Sequence, residues 1–475
     1  MFEYFLSIMS SSQQIDESKA EQAMRESFEQ QVEEILDSAE KYEAESTWKI
    51  GLETEYGLVD ESLTPVNHET RDQLIEDLEF ADVEVGGSQV ELRTEPLEPG
   101  TLSELEDVLE RNESELVKEA SKQGLNLVRS GTNPFIDTDN IPISSEEKYQ
   151  QVPSFYEEAR HSQVHEIFGG KDSIDPRNSD LAALINSTQV NVQAEGLEDA
   201  VEKANLTYMI SPFLSAISGN ARFLEGKNLG FSDVRMPLWE KSHDIRNPDS
   251  LEEEMDVGKL DSYFLAESED ETNIENYFRR VKEQPFILND EEKQEAAREI
   301  GIGTYWKDSR IKFNHGPEED RFQAVVESRI VSTQPSIAEE IAMHGFYLGR
   351  LAYAQNIGDI EEDESDTEEL MDIEQVNRNR HSAMYNGLDT KLYDTDGELR
   401  QAVEVMEEEL EKAEKGLDYI DLNDSGYLDI LYERLEEGTP SDQMAEEYYR
   451  TVESGTKSEE SLNQALMEQV SISEG

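Results

Sequence analysis

The sequence predicts an α+β fold in which helices flank an antiparallel sheet. Two observations carry this. Short apolar alternations separated by turn residues mark strands, and longer stretches with a period near 3.6 mark helices. The two kinds of segment mix without strict βαβ alternation, which favours an antiparallel over a parallel sheet.

The strand segments are WKIGLETEYGLV (48–59), SQVELRT (88–94), NLVRSGT (126–132), STQVNVQ (187–193), IKFNHG (311–316) and AVVESRIV (324–331). Residues 101–120 open on a Thr-x-Ser start and keep a helical period, so they form a helix. Residues 196–218 form another, with an interruption expected near Pro212. A third covers 337–354. The run 357–370 is dominated by Asp and Glu and reads as a solvated loop. Three more helices are expected within 399–417, 428–438 and 441–452, and the tail past about 456 is expected to fray. Phe28, Val32, Ile35 and Leu36 give residues 12–46 an amphipathic helical pattern. The organisation expected is an N-terminal helical extension (1–46), a catalytic domain (47–390) and a helical C-terminal region packed on it (391–475).

Charge bounds the environment and the partners. The chain carries 41 Lys plus Arg against 110 Asp plus Glu, a formal net charge of −69. Self-repulsion on this scale strains a compact fold in dilute buffer. In molar salt the Debye length falls to about 3 Å and most of that repulsion is screened. The 18 Tyr, 16 Phe and 3 Trp are interleaved with the acids and suffice for a core, which argues against a disordered acidic chain. The expectation is a folded, halophilic protein. Nucleic acid and anionic membranes would be repelled. The chain has no Cys, so thiolate chemistry and disulfides are excluded. MFEYFLSIM at the start is too short to span a membrane and lacks a basic flank, so cytoplasm is the expected location. Self-association into a homo-oligomer stays open.

Side chains alternate across a strand, so residues i and i+2 share a face. Ile50, Leu52 and Tyr56 lie on one side of the first strand; Gly51, Glu53, Glu55 and Gly57 lie on the other. In the second, Gln89, Glu91 and Arg93 share a face opposite Val90 and Leu92. Glu327 and Arg329 share a face, as do Gln189, Asn191 and Gln193. The plain account is a sheet with helices on one side and water on the other. The functional account is a sheet curved around a ligand, with carboxylates for a divalent cation and Arg for carboxylate or phosphate. Two Glu-x-Arg pairs in an Arg-poor chain favour the functional account.

Seven segments in order resemble the second family of glutamate–cysteine ligases: GLETEYGLVD (51–60), VELRT (90–94), SGTNPF (130–135), SGNARFLEGKNLGFSDVR (218–235), YWKDSR (305–310), VVESRIVSTQPS (325–336) and NRHSAMYNGL (379–388). The resemblance implies a glutamine synthetase-like curved antiparallel sheet and an ATP-dependent carboxylate–amine ligase. ATP would activate a carboxylate, such as the γ-carboxylate of glutamate, as an acyl phosphate, and an amine such as cysteine would attack it. It further implies metal ligands at Glu53, Glu55, Glu91 and Glu327 for Mg²⁺ or Mn²⁺. Phosphate or carboxylate contacts fall to Arg235, Arg310 and Arg329. Nucleotide contacts fall to Gln189, Asn191 and Asp308, with Asp308 alternatively orienting Arg310.

The chain departs from the family pattern at several positions. The family's His-x-His pair is replaced by Gln189 and Asn191, and Asn228, Lys307, Ser332 and His381 replace other usual residues. An amide cannot gain a proton as imidazole does. The alternative expectation is therefore a non-catalytic, nucleotide- or amino-acid-binding regulatory relative.

Overall fold

The structure is a computed structural model of the 475-residue chain. It describes residues 22–44, 48–138, 140–146, 149–150, 179–242, 260, 262–284, 286, 296–315, 322–361, 368–422, 426–453, 466–467 and 470–472. The expectations for residues 1–21, for the middle of the acidic run (362–367) and for most of the tail lie outside these residues.

The sheet expected from the alternating segments is present. Its strands are β1 (Ile50–Asp60), β2 (Ala81–Val83), β3 (Gln89–Arg93), β4 (Leu125–Val128) and β5 (Thr188–Gln193). Two short hairpin strands follow, β6 (Phe223–Leu224) and β7 (Lys227–Asn228), outside the main sheet. The main sheet continues with β8 (Ser309–His315) and β9 (Phe322–Ser328). A second hairpin, β10 (Lys391–Tyr393) with β11 (Leu399–Gln401), stands apart, and β12 (Ser471–Ile472) closes one edge of the main sheet. The order is β12-β4-β1-β5-β9-β8, with β3 also paired to β1 and β2 to β3. Every pairing within the main sheet is antiparallel. The result is a curled antiparallel half-barrel with flanking helices, as the fold class predicted.

The helices are α1 (22–37), α2 (His68–Ile75), α3 (Leu102–Lys122), α4 (Leu197–Ser218), α5 (Arg235–Ser242) and α6 (Asn273–Lys282). After them come α7 (Ala297–Thr304), α8 (Ile337–Ile360), α9 (Ile373–Asn386), α10 (Ala402–Tyr419), α11 (Tyr427–Glu437) and α12 (Pro440–Glu453). The apolar face of the sheet meets this helical layer. Ile50, Leu52, Val190 and Val192 pack in one core with Met209, Phe213, Ile341 and Phe346 of α4 and α8. Tyr56, Leu58, Val90 and Leu92 pack on Leu116 and Ala120 of α3. Helix α1 inserts Met24, Phe28 and Ile35 beside Ile311 and Val326 of the strands.

Three expectations are corrected. Helix α4 runs unbroken through Pro212. It is buried on all sides, and that packing outweighs the lost hydrogen bond. The acidic run does not begin as a loop at 357: the chain kinks at Asn356 (φ −131°, ψ 23°), and helical backbone then resumes to Ile360. Glu368 then turns inward onto the buried Arg350, Nη2–Oε1 2.8 Å. The described part of the tail also packs: Leu466, Met467 and Val470 are buried, and Ser471–Ile472 pairs with β4.

Helices α8 and α10 cross with their backbones in contact. A Cβ on Gly416 would collide with the Gly349 carbonyl oxygen, and one on Gly349 with the Ala413 carbonyl oxygen. Only glycine permits that approach.

Candidate active site

The opposite face of the sheet lines a cavity of about 420 Å³. The register explains how residues distant in sequence meet there. Glu55 of β1 lies opposite Glu91 of β3, and Glu53 opposite Gln189 of β5. Gly51, Asn191, Glu327 and Arg310 form one row across β1, β5, β9 and β8.

Glu55 is fixed by the start of β5. Its Oε2 accepts from the Ser187 backbone N–H at 2.6 Å and from the Ser187 hydroxyl at 3.1 Å. Its Oε1 accepts from Gln189 Nε2 at 3.1 Å. Glu55, Glu91 and Glu84 can each present an oxygen within 4.8 Å of the others. Burial, then the charge of Glu84, push Glu55 up to about 8, against the pull of Arg235 and Ser187. Burial, then Glu84, Glu53 and Glu55, push Glu91 well above the usual carboxylate range. Three crowded carboxylates with only oxygen donors suit a hard divalent cation such as Mg²⁺ or Mn²⁺.

Glu84 escaped the sequence reading. It follows the three-residue β2, too short to show alternation, in a chain with 110 acidic residues. Its loop is held by Arg71 of α2, a fully buried guanidinium. Arg71 Nη1 donates to the carbonyl oxygens of Glu84, Gly86 and Gln89 at 3.2, 2.8 and 3.1 Å. The Gln89 side chain braces the same turn, accepting from the Gly86 N–H at 2.7 Å.

Glu53 and Glu327 are engaged differently. Lys312 of β8 reaches Glu53 Oε1 at 2.9 Å and Glu327 Oε1 at 2.5 Å. Arg310 grips Glu327 with two bonds of 2.8 and 3.0 Å, and Arg329 lies 3.2 Å away. Burial alone would raise Glu327, but Arg310, Lys312 and Arg329 outweigh it and hold the carboxyl well below its usual range. Burial and the neighbouring Arg310 press Arg329 down to about 10.

The three Arg residues singled out from sequence all line the cavity. Arg235, the first residue of α5, is anchored by donating to the carbonyl oxygens of Ile330 at 3.1 Å and Arg329 at 2.9 Å. Its Nε and the Nη1 of Arg329 are buried without a hydrogen-bond partner among the described residues. Arg329 also stacks over Trp306, 5.1 Å from the ring centroid, and Trp306 packs on Trp239 at 4.1 Å. Gln189 lines the cavity, with its amide turned to Glu55. Asn191 shares that face, and its buried Oδ1 has no partner among the described residues. Asp308 stands apart: it is fully buried and paired with Arg380 of α9 at 2.5 and 2.7 Å, not with Arg310.

The family model for glutamate–cysteine ligase family 2 (GCS2) matches residues 49–468. The chain belongs to this family. This GCS2 member is 28% identical over 199 residues to a Rubrobacter xylanophilus protein provisionally named glutamate–cysteine ligase 2-1, covering 41% of this chain and 47% of that one. It is 27% identical over 205 residues to a Chloroflexus aggregans protein of similar provisional name, covering 42% and 46%. The chain thus spans about half the length of the curated relatives it matches. In fold it is similar to the solved glutamate–cysteine ligase of Francisella tularensis in complex with AMP, with a TM-score of 0.51, 12% identity and 90% of each chain covered. No helix among the described residues is long and apolar enough to cross a membrane.

Proposed function

We propose that this GCS2 member is an ATP-dependent carboxylate–amine ligase, with glutamate as the carboxylate and an amine such as cysteine as the acceptor. The observation that carries the reading is one cavity that joins a carboxylate trio, Glu55, Glu84 and Glu91, to three converging guanidinium groups, Arg235, Arg310 and Arg329. Cation ligands and phosphate or carboxylate ligands on one sheet face are what phosphoryl transfer to a carboxylate needs, since its catalysis is positioning and charge neutralisation. An adenine nucleotide is the donor proposed, in keeping with the AMP held by the Francisella enzyme of similar fold.

In this reading a substrate carboxylate oxygen attacks the γ-phosphorus of ATP and ADP leaves. The amine nitrogen then attacks the acyl carbon, phosphate departs, and the amine loses a proton as the amide forms. Glu55, Glu84 and Glu91 would hold Mg²⁺ or Mn²⁺, which when bound neutralises phosphate charge. The Arg235 Nε and Arg329 Nη1 donors belong to two cavity-lining residues, are buried without partners among the described residues, and would serve anionic oxygens. Arg329 is held for this by Trp306, and Ser187 and Gln189 orient the Glu55 carboxyl group through their hydrogen bonds. Every residue named here lies within the proposed 47–390 catalytic domain.

The net charge of −69 supports a high-salt setting for this chemistry. One feature favours a second reading, a binding or regulatory relative without turnover. Gln189 and Asn191 place amides where the family pattern has imidazoles, and Gln189 spends its donor on Glu55. The test is ADP release in molar KCl with Mg-ATP, glutamate and a panel of amines including cysteine. The ligase predicts release that requires both carboxylate and amine and falls at least ~100-fold in Arg329→Met. Nucleotide binding without turnover for any amine sinks it and leaves the binding protein.

A further inference from the structure

We propose that Lys312 is a tethered cation standing where a divalent ion would otherwise bind, so that this chain takes divalent metal between Glu55, Glu84 and Glu91 but not between Glu53 and Glu327. The inference rests on the metal reading of the cavity given above.

The polar face divides into two halves of opposite character. In the first, Glu55, Glu84 and Glu91 converge within 4.8 Å, and the half-exposed Arg93 approaches Glu91 only at a long 3.8 Å. In the second, one ammonium bridges two carboxylates. Lys312 follows Arg310 by two residues on β8, so both project from the same face. From there its Nζ reaches Glu327 on the neighbouring β9 and Glu53 on β1, beyond β5. Both oxygens of Glu327 are occupied. Oε1 faces Lys312 and accepts from Arg310 Nη2, and Oε2 accepts from Arg310 Nε at 2.8 Å, with Arg329 Nε 3.2 Å away as an ion pair without a hydrogen bond. A divalent ion placed there would sit against three fixed positive groups, the Lys312 ammonium and the Arg310 and Arg329 guanidiniums.

Asn191 agrees with this assignment. It lies between Gly51 and Glu327 in the row across the strands, directly opposite one of the two carboxylates that Lys312 bridges, and its buried Oδ1 accepts from no described residue. A neutral amide opposite Glu327 adds no charge to the three cationic groups already there; an imidazolium in its place would add a fourth.

The test counts Mn²⁺ per chain by electron paramagnetic resonance on full-length protein in molar KCl. Wild type, Lys312→Met, Lys312→Arg and Glu84→Gln are compared. Lys312→Met is expected to bind one ion more than wild type, Lys312→Arg the same number, and Glu84→Gln to lose one ion or bind it at least tenfold more weakly. Equal stoichiometry in wild type and Lys312→Met overturns the proposal, while the loss in Glu84→Gln keeps the metal reading standing. If wild type binds no Mn²⁺, the metal reading fails; a site gained in Lys312→Met then still supports the tethered cation, and none gained overturns it. Thermal melting covers a poorly folded variant. The Lys312→Met midpoint should lie below wild type without Mn²⁺ and rise further than wild type when Mn²⁺ is added. A midpoint that responds to Mn²⁺ no more than wild type overturns the proposal.

Discussion

The buried guanidinium of Arg71 donates to the carbonyl oxygen of Glu84 at 3.2 Å, so a helix residue outside the cavity fixes the loop that carries a site carboxylate. The same nitrogen serves Gly86 and Gln89, and Nη2 donates to the Ser144 hydroxyl at 3.0 Å. Arg71→Met leaves three carbonyl oxygens without this donor. It should cost about 2–4 kcal/mol of stability and weaken Mn²⁺ binding roughly 10–100-fold. Denaturant melts and Mn²⁺ titration check both parts. Unchanged Mn²⁺ affinity in a folded variant would remove Arg71 from any role in the site.

Crowding of like charges at Glu91 gives a second expectation of unusual sign. Burial and the charges of Glu84, Glu53 and Glu55 disfavour its ionised form. Glu91→Gln should therefore stabilise the metal-free protein at pH 7–8, by about 1–3 kcal/mol, while weakening Mn²⁺ binding. Most substitutions of buried residues destabilise, so a raised melting midpoint is informative. A lowered midpoint in metal-free protein contradicts the electrostatic account.

His344 of α8 supplies a pH dependence remote from the cavity. It is buried at Thr188, Nε2 to Oγ1 2.9 Å, and burial presses it down to about 3 from its ordinary 6.5. Between those values the unfolded chain binds the proton and the folded one does not. Its contribution is therefore complete above pH 6.5 and is lost as pH falls toward 3, to a total of roughly 5 kcal/mol. His344→Gln should lose less stability than wild type between about pH 6.5 and 5. Parallel stability curves over that range would contradict it.

The crossing of α8 and α10 tests the packing. Alanine is the better helix former by about 1 kcal/mol, yet Gly416→Ala would press its methyl onto the Gly349 backbone. The clash should win, with a net loss of about 2 kcal/mol or more. A methyl group added at Gly303 in α7 would meet nothing within 4 Å, so Gly303→Ala should be neutral or stabilising. Thermal melts of the pair check the contrast; equal midpoints would refute the close crossing.

Much of this was legible in the sequence, and the exceptions have physical causes. Period-two alternation marks β1, β3, β5, β8 and β9 with their faces, because one side of each is in the core. Arg310 comes from the family resemblance, and the same rule places Glu53, Glu55, Glu91, Glu327 and Arg329 on the cavity side. It could also have placed Lys312, two residues from Arg310, but not its span to Glu53, since strand order is not written in local spacing. Glu84 was hidden by a strand too short to alternate and by a Glu-rich background. The partner of Asp308 was misjudged for a related reason: Arg380 arrives from α9, 72 residues on. At Pro212 a local rule predicts an interruption that complete burial of α4 overrides.

Activation of a substrate carboxylate by phosphoryl transfer, in the cavity of Arg235, Arg310 and Arg329, is measured most directly by transfer of ¹⁸O. With glutamate labelled in its γ-carboxylate, Mg-ATP and a productive amine, one ¹⁸O is expected in each phosphate released. Phosphate released without label, or ATP left unconsumed with every amine, would contradict it.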